Sequence, residues 1–441
     1  MRNFLLVIFL LSSFSLALGQ EAPAPAYGLS GDRASDDELV VPAMVSGDSE
    51  SALFPAEGER SNYLNAGLSF GTAYDDNTLG TATNPVGDTS FTVAPFISIE
   101  QTRARLRWQA DYAPGFTFYR QLSQRNQDDQ NLSVGLEYRL TQHVTMRLKD
   151  AFLKSSNFLG GLAQVQQSPF GTLQQSNPTL ITPVTNRVSN TGSAEVTYQF
   201  GPNSLVGARG ISNELFFPDS VQTTGLADSH SQAAEGFITH RIARTHWIGV
   251  TYHFQQILTD VNEARNSSQA VLATYTMNVT PAMTLSVFAG PQYSNSSSQL
   301  APASAKWLPA VGMNYNWETT RCAFMAGASH RISDGGGLQG AVQLTSFESS
   351  FRYEWARKWT LRVGGSYGRN ELIETFGLPS QDVASLIGLV SVSHQIGEHL
   401  SIEAGYVRAH QQALGSSVVS SYDRNRPQIT ITYSFSRPLG R

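Results

Sequence analysis

The feature that most constrains this chain is a two-residue alternation of apolar and polar side chains, held over unusually long stretches. In "YLNAGLSFGTAY" (63–74), Leu64, Ala66, Leu68, Phe70 and Tyr74 share one parity, while Asn65, Gly67, Ser69 and Gly71 share the other. In "RARLRWQADYAPGFTFY" (103–119), Ala104, Leu106, Trp108, Ala110, Tyr112, Phe116 and Phe118 oppose Arg103, Arg105, Arg107, Gln109 and Asp111. A period of two places successive side chains on opposite faces of a sheet. The runs reach about ten residues or more, beyond the five or six of an ordinary globular strand. That length suits a tilted strand crossing a membrane.

The connections carry the second constraint. A unit of strand end, a few turn residues and a new alternating strand appears as "EYRLTQHVTMRL", "TYQFGPNSLVG", "THRIARTHWIGV", "TMNVTPAMTLSV", "NYNWETTRCAFM", "RYEWARKWTLRV" and "SHQIGEHLSIEA". From Tyr198 onward it recurs roughly every 40 residues, one long hairpin plus its loop. Between the units lie longer polar stretches, such as 157–187, 216–230 and 294–304. Short turns on one side and long loops on the other mark an outer-membrane barrel, with the short turns in the periplasm. Strands are expected to begin near 62, 89, 103, 131, 144, 187, 204, 231, 246, 269, 283, 305, 321, 340, 359, 384, 400 and 426. The fold expected is an all-β, transmembrane, antiparallel up-and-down β-barrel of about eighteen strands. Poor alternation over 204–215 and 231–242 leaves sixteen as the other count. Closure follows because no strand edge can leave its backbone polar groups unpaired in lipid.

The N-terminus agrees with export. Arg2 precedes an apolar run from Phe4 to Leu18, and Ala17-Leu18-Gly19 supplies small residues for cleavage. Residues 1–19 read as a secretory signal, cleaved near Gly19-Gln20. Residues 20–60, rich in Ala, Pro, Ser and acid, read as a flexible periplasmic leader, a spacer or a docking arm. The barrel is assigned to 61–441. No later apolar run reaches about 18 residues, the length of a transmembrane helix. A net charge of −5 with 15 % charged residues gives no nucleic-acid footprint. The single cysteine, Cys322, excludes an internal disulfide framework and a Cys-based zinc site. It follows a turn and reads as a small apolar residue at a strand end. Tyr138, Tyr198, Trp317, Tyr353, Trp355 and Trp359 lie beside the short turns as an interfacial aromatic girdle. Phe118, Phe152, Tyr293 and Tyr367 fall near the opposite ends.

Candidate chemistry is sparse. Arg103, Arg105, Arg107, Arg139, Arg147 and Lys149 share the polar parity of three successive strands, interrupted by Asp111 and Glu137. They read either as a lumenal wall favouring anions or as a ladder of cross-strand ion pairs. The nine histidines form no His-x-x-x-His or His-Glu-x-x-His zinc motif, so neither metal nor cofactor is implied. Ser329-His330 and Ser393-His394 are adjacent, and adjacent strand residues point to opposite faces. A hydrolase would need acid, histidine and nucleophile converging at the rim, where His410 lies near the outer end of its strand and Asp75 or Asp76 is a candidate partner. "SDGGGLQG" (333–340) lacks the lysine and helix of a phosphate loop and reads as an outer hairpin loop. The loop 157–187 reads as a surface loop or a pore constriction.

"YDDN" (74–77) places Asp75 and Asp76 where the first strand leaves the membrane on the outer side. The last strand enters there through "SYDRNRP" (421–427), and closure sets first and last strands side by side. Asp75 and Asp76 are therefore expected to face Arg424 and Arg426. They would form a clasp of surface ion pairs worth about 0–1 kcal/mol each.

With "YDDN", regular hairpins and a terminal strand "SYDRNRPQITITYSFSR", the chain over most of residues 61 to 441 resembles the beta-barrel porin 2 family, which includes outer-membrane proteins of exopolysaccharide operons. The resemblance implies an outer-membrane barrel of eighteen-strand size and a part in transport or polysaccharide secretion. The chain departs from the common bacterial barrel ending, because "SRPLGR" follows Phe435 where the assembly machinery reads a terminal aromatic residue. The partners implied are outer-membrane lipid, small solutes or polysaccharide, and the barrel-assembly machinery. The function expected is a passive channel or export conduit without covalent chemistry. Its alternatives are a structural or adhesive barrel with a plugged lumen and an outer-membrane hydrolase.

Overall fold

In a computed structural model, residues 62–156, 185–218, 226–260, 263–299, 301–373, 382–414 and 421–439 are described. The signal and leader, 1–19 and 20–60, lie outside them, as does most of the 157–187 loop. Nineteen strand segments run from Tyr63 to Pro438. Two of them, Leu106–Tyr112 and Gly115–Tyr119, are halves of one strand, since both pair with the strand before and the strand after. Every strand pairs antiparallel with its neighbours in sequence, and the first, Tyr63–Asp75, pairs with the last, Tyr422–Pro438. The result is a closed eighteen-stranded up-and-down β-barrel, which settles the count of sixteen or eighteen.

Strand starts follow the turn chemistry closely, with one displacement that matters. The third strand begins at Leu106, because Arg103 N–H bonds back to Leu106 O at 2.7 Å and makes 103–105 the turn itself. All eight short turns lie at one end with the two strand termini, and the nine loops lie at the other. The alternating parity sorts as physics requires. Phe70, Tyr74, Phe91, Val250, Tyr252, Ile429 and Tyr433 are exposed on the outside, while Ser69, Ser90, Thr251, His253, Gln428 and Thr430 are buried within. An exterior of this kind belongs in a bilayer, where lipid and not water meets the apolar face.

Prolines decide where pairing stops, since proline has no N–H to give a ladder. Pro95 faces the point where the third strand breaks at Ala113-Pro114, between the pairs Ile97–Tyr112 and Val93–Phe116. Pro309 faces Pro291 across one flank of the twelfth strand, Ala301–Glu318. On its other flank pairing with the thirteenth strand, Cys322–Ser333, extends from Glu318 only to Val311. Pro427 lies just beyond the last ladder pair of the seam, Ala73–Gln428.

Above Val311 the hairpin of Cys322–Ser333 and Val342–Ala356 stays paired with itself up to Ser333–Val342. Its tip leaves the wall and bends inward. Ile332 and Ala341 pack on Ile257 of the ninth strand, with Leu308 and Ile373 alongside. Leu338, Val342, Leu344 and Val383 form a second cluster with Leu226 and Leu372. "SDGGGLQG" is thus an outer hairpin loop whose tip is folded over the mouth. Gly335, Gly336 and Gly337 adopt φ of 75°, 61° and 111°, a backbone that side-chain-bearing residues rarely take. A Cβ on Gly337 would also lie 2.6 Å from the Phe217 ring.

Candidate functional site

The inner wall carries one continuous row of charges. Arg107, Glu137, Arg147, Glu195, Arg209, Glu235 and His253 stand directly opposite one another on seven successive strands. Their signs alternate down to the terminal histidine. Arg107 also bonds Glu100 of the preceding strand through Nε at 2.9 Å. Arg147 bridges Glu137 at 3.0 Å and Glu195 at 2.8 Å. Arg209 donates from Nε to Glu195 at 2.8 Å and from Nη1 to Glu235 at 2.9 Å. His253 Nδ1 lies 3.3 Å from Glu235, without hydrogen-bond geometry. Register produces the row: partners across a short turn sit equally far from it, which sets Glu137 opposite Arg147, Glu195 opposite Arg209 and Glu235 opposite His253, and the ladders on the loop-joined flanks place the other three pairs.

The lumen is not uniform along its length. Toward the turns, inward residues such as Lys149, Asn314 and Asn316 remain exposed. Toward the loops, inward polar residues such as Asn131, Ser189, Asn370 and Gln411 are buried, and the folded-in hairpin tip packs at that end on Ile257, Leu226 and Phe217. Asp334 is enclosed in that tip. It accepts an N–H from Gly336 at 3.2 Å, and burial pushes its carboxyl above the usual range.

At the seam, Arg424 donates to Asp75 Oδ2 from Nε at 2.7 Å and Nη2 at 2.5 Å. Both side chains point inward, and Arg424 is 0 % exposed. Asp76 plays a different part. Its two oxygens accept the backbone N–H of Asn425 at 2.7 Å and the Asn425 amide at 2.6 Å. Asp76 N–H in turn donates to Asn425 O at 3.2 Å. Asn77 adds a bond from its amide to Asp423 O at 3.0 Å. Three side-chain bonds and one backbone bond thereby carry the seam past Pro427, where the ladder has stopped.

These positions revise several sequence expectations. The Asp75–Arg424 pair is buried and not a surface pair, because Asp75 has inward parity. Arg426 also points inward but pairs with neither aspartate. Of the basic patch, Arg103 and Arg105 are exposed turn residues, and Arg107 and Arg147 belong to the alternating row. Arg139 lies 3.8 Å from Glu137, and Lys149 faces the wider half of the lumen. His410 does not meet Asp75 or Asp76: it is exposed on the outer surface, with Nδ1 2.9 Å from Asp423. Ser329 bonds Ser346 while His330 bonds Thr345 on the other face. His394 lies 4.3 Å from the Trp359 ring, centroid to centroid, at the turn end. Trp355 stacks on Trp359 at 5.7 Å, and Tyr138, Tyr198 and Tyr353 are exposed at the same level, with Trp317 half-buried.

The fold defines a transmembrane antiparallel β-barrel of outer-membrane type. Among solved structures the chain is similar to Pseudomonas aeruginosa OpdQ, at 9 % identity over 85 % of this chain and 98 % of that one, with a TM-score of 0.42. It is likewise similar to Acinetobacter baumannii OccAB4, at 9 % identity over 85 % and 98 % with a TM-score of 0.40. For the P. aeruginosa outer-membrane protein OpdK the identity is 10 %, over 85 % and 99 %, with a TM-score of 0.41. No family model matches the chain, and no curated protein matches it.

Proposed function

We propose that the protein is an outer-membrane channel through which solutes pass by diffusion along a polar lumen, with no covalent chemistry. The observation that carries this reading is the division of the wall: apolar side chains outside, and an inner face of Ser, Thr, Asn, Gln and paired charges. The resemblance of "YDDN" and the terminal strand to the beta-barrel porin 2 family supports a place in exopolysaccharide secretion. Deleting the gene in an encapsulated host and measuring exported polysaccharide tests that part; undiminished export removes it.

A second reading has its own observation. The hairpin tip at 333–342 packs across the mouth, and large charged side chains on the wall are tied to one another, which suits a structural barrel with an occluded lumen. Planar-bilayer recordings separate the two. The channel reading expects unit conductance from the intact chain and a rise when residues 335–340 are replaced by a two-residue turn. Silence from both proteins would leave the occluded barrel standing.

A further inference from the structure

The two ends of the barrel carry opposite charge. The eight short turns hold six cations, Arg103, Arg105, Arg244, Arg321, Arg357 and Lys358, against one acid, Glu398. Three residues further into each flanking strand, and at the end of the last strand, four cations and four acids are added, so an excess of five cations remains. The nine loops carry the reverse, seven acids against two arginines. At the turn end Arg103, Arg105, Arg321, Arg357, Lys358 and Arg437 are exposed and make no ion pair among the described residues. The chain enters the barrel beside three of them. Asn62 Oδ1 accepts the Thr102 N–H at 3.0 Å, next to Arg103, and Leu64 pairs with Arg437 across the seam. Residues 20–60, which lead to this point, carry nine acids against Arg33 and Arg60.

We propose that this acidic leader docks on the basic rim, with Glu57 and Glu59 at Arg103 and Arg105 and earlier acids following the rim toward Arg357, Lys358 and Arg321. Charge, reach and tethering select the leader as the occupant. Its net charge of −7 opposes that of the rim and matches that of the loops, so attraction acts at the turn end alone. Glu57 and Glu59 lie within five residues of Asn62, at most about 18 Å of extended chain. Arg357, Lys358 and Arg321 follow four to six strand spacings from the first strand through the seam, roughly 20–30 Å around the rim. The chain from Glu50 to Asn62 can span about 40 Å, which covers that distance. Exposed ion pairs are individually weak and screened by salt, so docking needs several at once. The covalent link supplies them together, at an effective concentration of about millimolar that an untethered acidic partner must exceed to compete. Docking lays the leader beside the periplasmic mouth and covers the rim, and salt or a polyanion that displaces it exposes the cations. This inference rests on the barrel fold and not on conduction.

Electron paramagnetic distance measurements on the exported chain test the docking. Nitroxides are placed at Ser51→Cys in the leader and Thr320→Cys on the rim, in a Cys322→Ser background. A narrow distance distribution is expected in detergent at about 0.1 M salt. A broad one is expected at about 1 M, where the Debye length has fallen from about 10 Å to about 3 Å. Reversing the rim (Arg103→Glu with Arg105→Glu) or the leader (Glu57→Arg with Glu59→Arg) should broaden the distribution at low salt. Combining the two reversals should narrow it again. Asp128→Asn, which removes an exposed acid at the loop end, should leave it unchanged. Anionic phospholipid is the other occupant such a rim could take, and nanodiscs separate the two. The leader should stay docked in phosphatidylcholine and in phosphatidylglycerol alike. Broadening confined to phosphatidylglycerol would assign the rim to lipid and overturn the proposal. A broad distribution in the labelled chain at low salt, a narrow one that survives 1 M salt, or no recovery in the combined reversal would overturn it too. Where a reversed chain does not fold, the salt and lipid comparisons on the labelled chain decide.

Discussion

Two regions of the inner wall treat arginine in opposite ways. From Arg107 to His253 each guanidinium stands between carboxylates supplied by the neighbouring strands. At the seam, Arg424 and Arg426 share one strand and one face, and among the described residues only Arg424 makes an ion pair. The difference lies in who sets the geometry. In the row, backbone register places every partner opposite its mate. At the seam the ladder has ended at Gln428, and compensation depends on single side chains that "YDDN" extends beyond the first strand. Charge held by register is shared over many contacts, while charge held by one carboxylate is not.

Mutations should expose that contrast, beginning with the largest effect. Asp75→Asn takes from the fully buried Arg424 the carboxylate that accepts two of its N–H groups, so unfolding in detergent should show a loss of about 3–5 kcal/mol. Arg209→Gln is cushioned, because Glu195 keeps Arg147 and Glu235 keeps the nearby His253. Its loss should be about 1.5–3 kcal/mol, the scale of hydrogen bonds to charged groups. A larger loss for Arg209→Gln than for Asp75→Asn would break the comparison. Leu338→Ala, in the apolar tip, should cost about 2 kcal/mol, read as faster amide exchange across 334–341 while the barrel strands stay protected.

A pH effect should follow from Asp334. Its carboxyl titrates above the usual range in the folded state because burial disfavours its charged form. The folded tip therefore binds a proton more tightly than the unfolded one. Its stability is fully present below the ordinary aspartate value, about 3.9, and is lost as pH rises through the elevated folded value. Exchange protection of 334–341, corrected for intrinsic rates, should rise on acidification, and Asp334→Asn should abolish the dependence. The smallest effect belongs to Asp423→Asn, whose partners Arg408 and His410 are exposed on the outer surface. Its change should stay within about 1 kcal/mol.

Much of the barrel was legible in the chain because period-two alternation and short-turn chemistry are local. The turn at Thr141–His143, for example, sets the starts and ends of its two flanking strands without reference to anything distant. The charge row was half legible. Arg107, Arg147 and Glu137 share a parity, but Glu195, Arg209 and Glu235 emerge only when the register across both the short turns and the loops is known. Asp75 and Arg424 could be paired from closure alone, yet their burial could not, since it depends on which parity faces inward at the rim. The inward bend of the hairpin tip is a long-range event. Pro309 marks where pairing ends, but nothing near it announces that Ile332 will reach Ile257 on a distant strand.

The slope of the charge row has a further consequence. Cross-strand partners align along the hydrogen-bonding direction, and strands in a closed barrel tilt, so the row climbs as it circles. Glu137 lies near its short turn, while Glu235 lies near the middle of its strand. A charged body descending along this wall would meet positive and negative groups one after another, each offset in height from the last. Such a staircase cancels its own field over a few ångströms of travel, leaving a surface that wets and orients a passenger without trapping it.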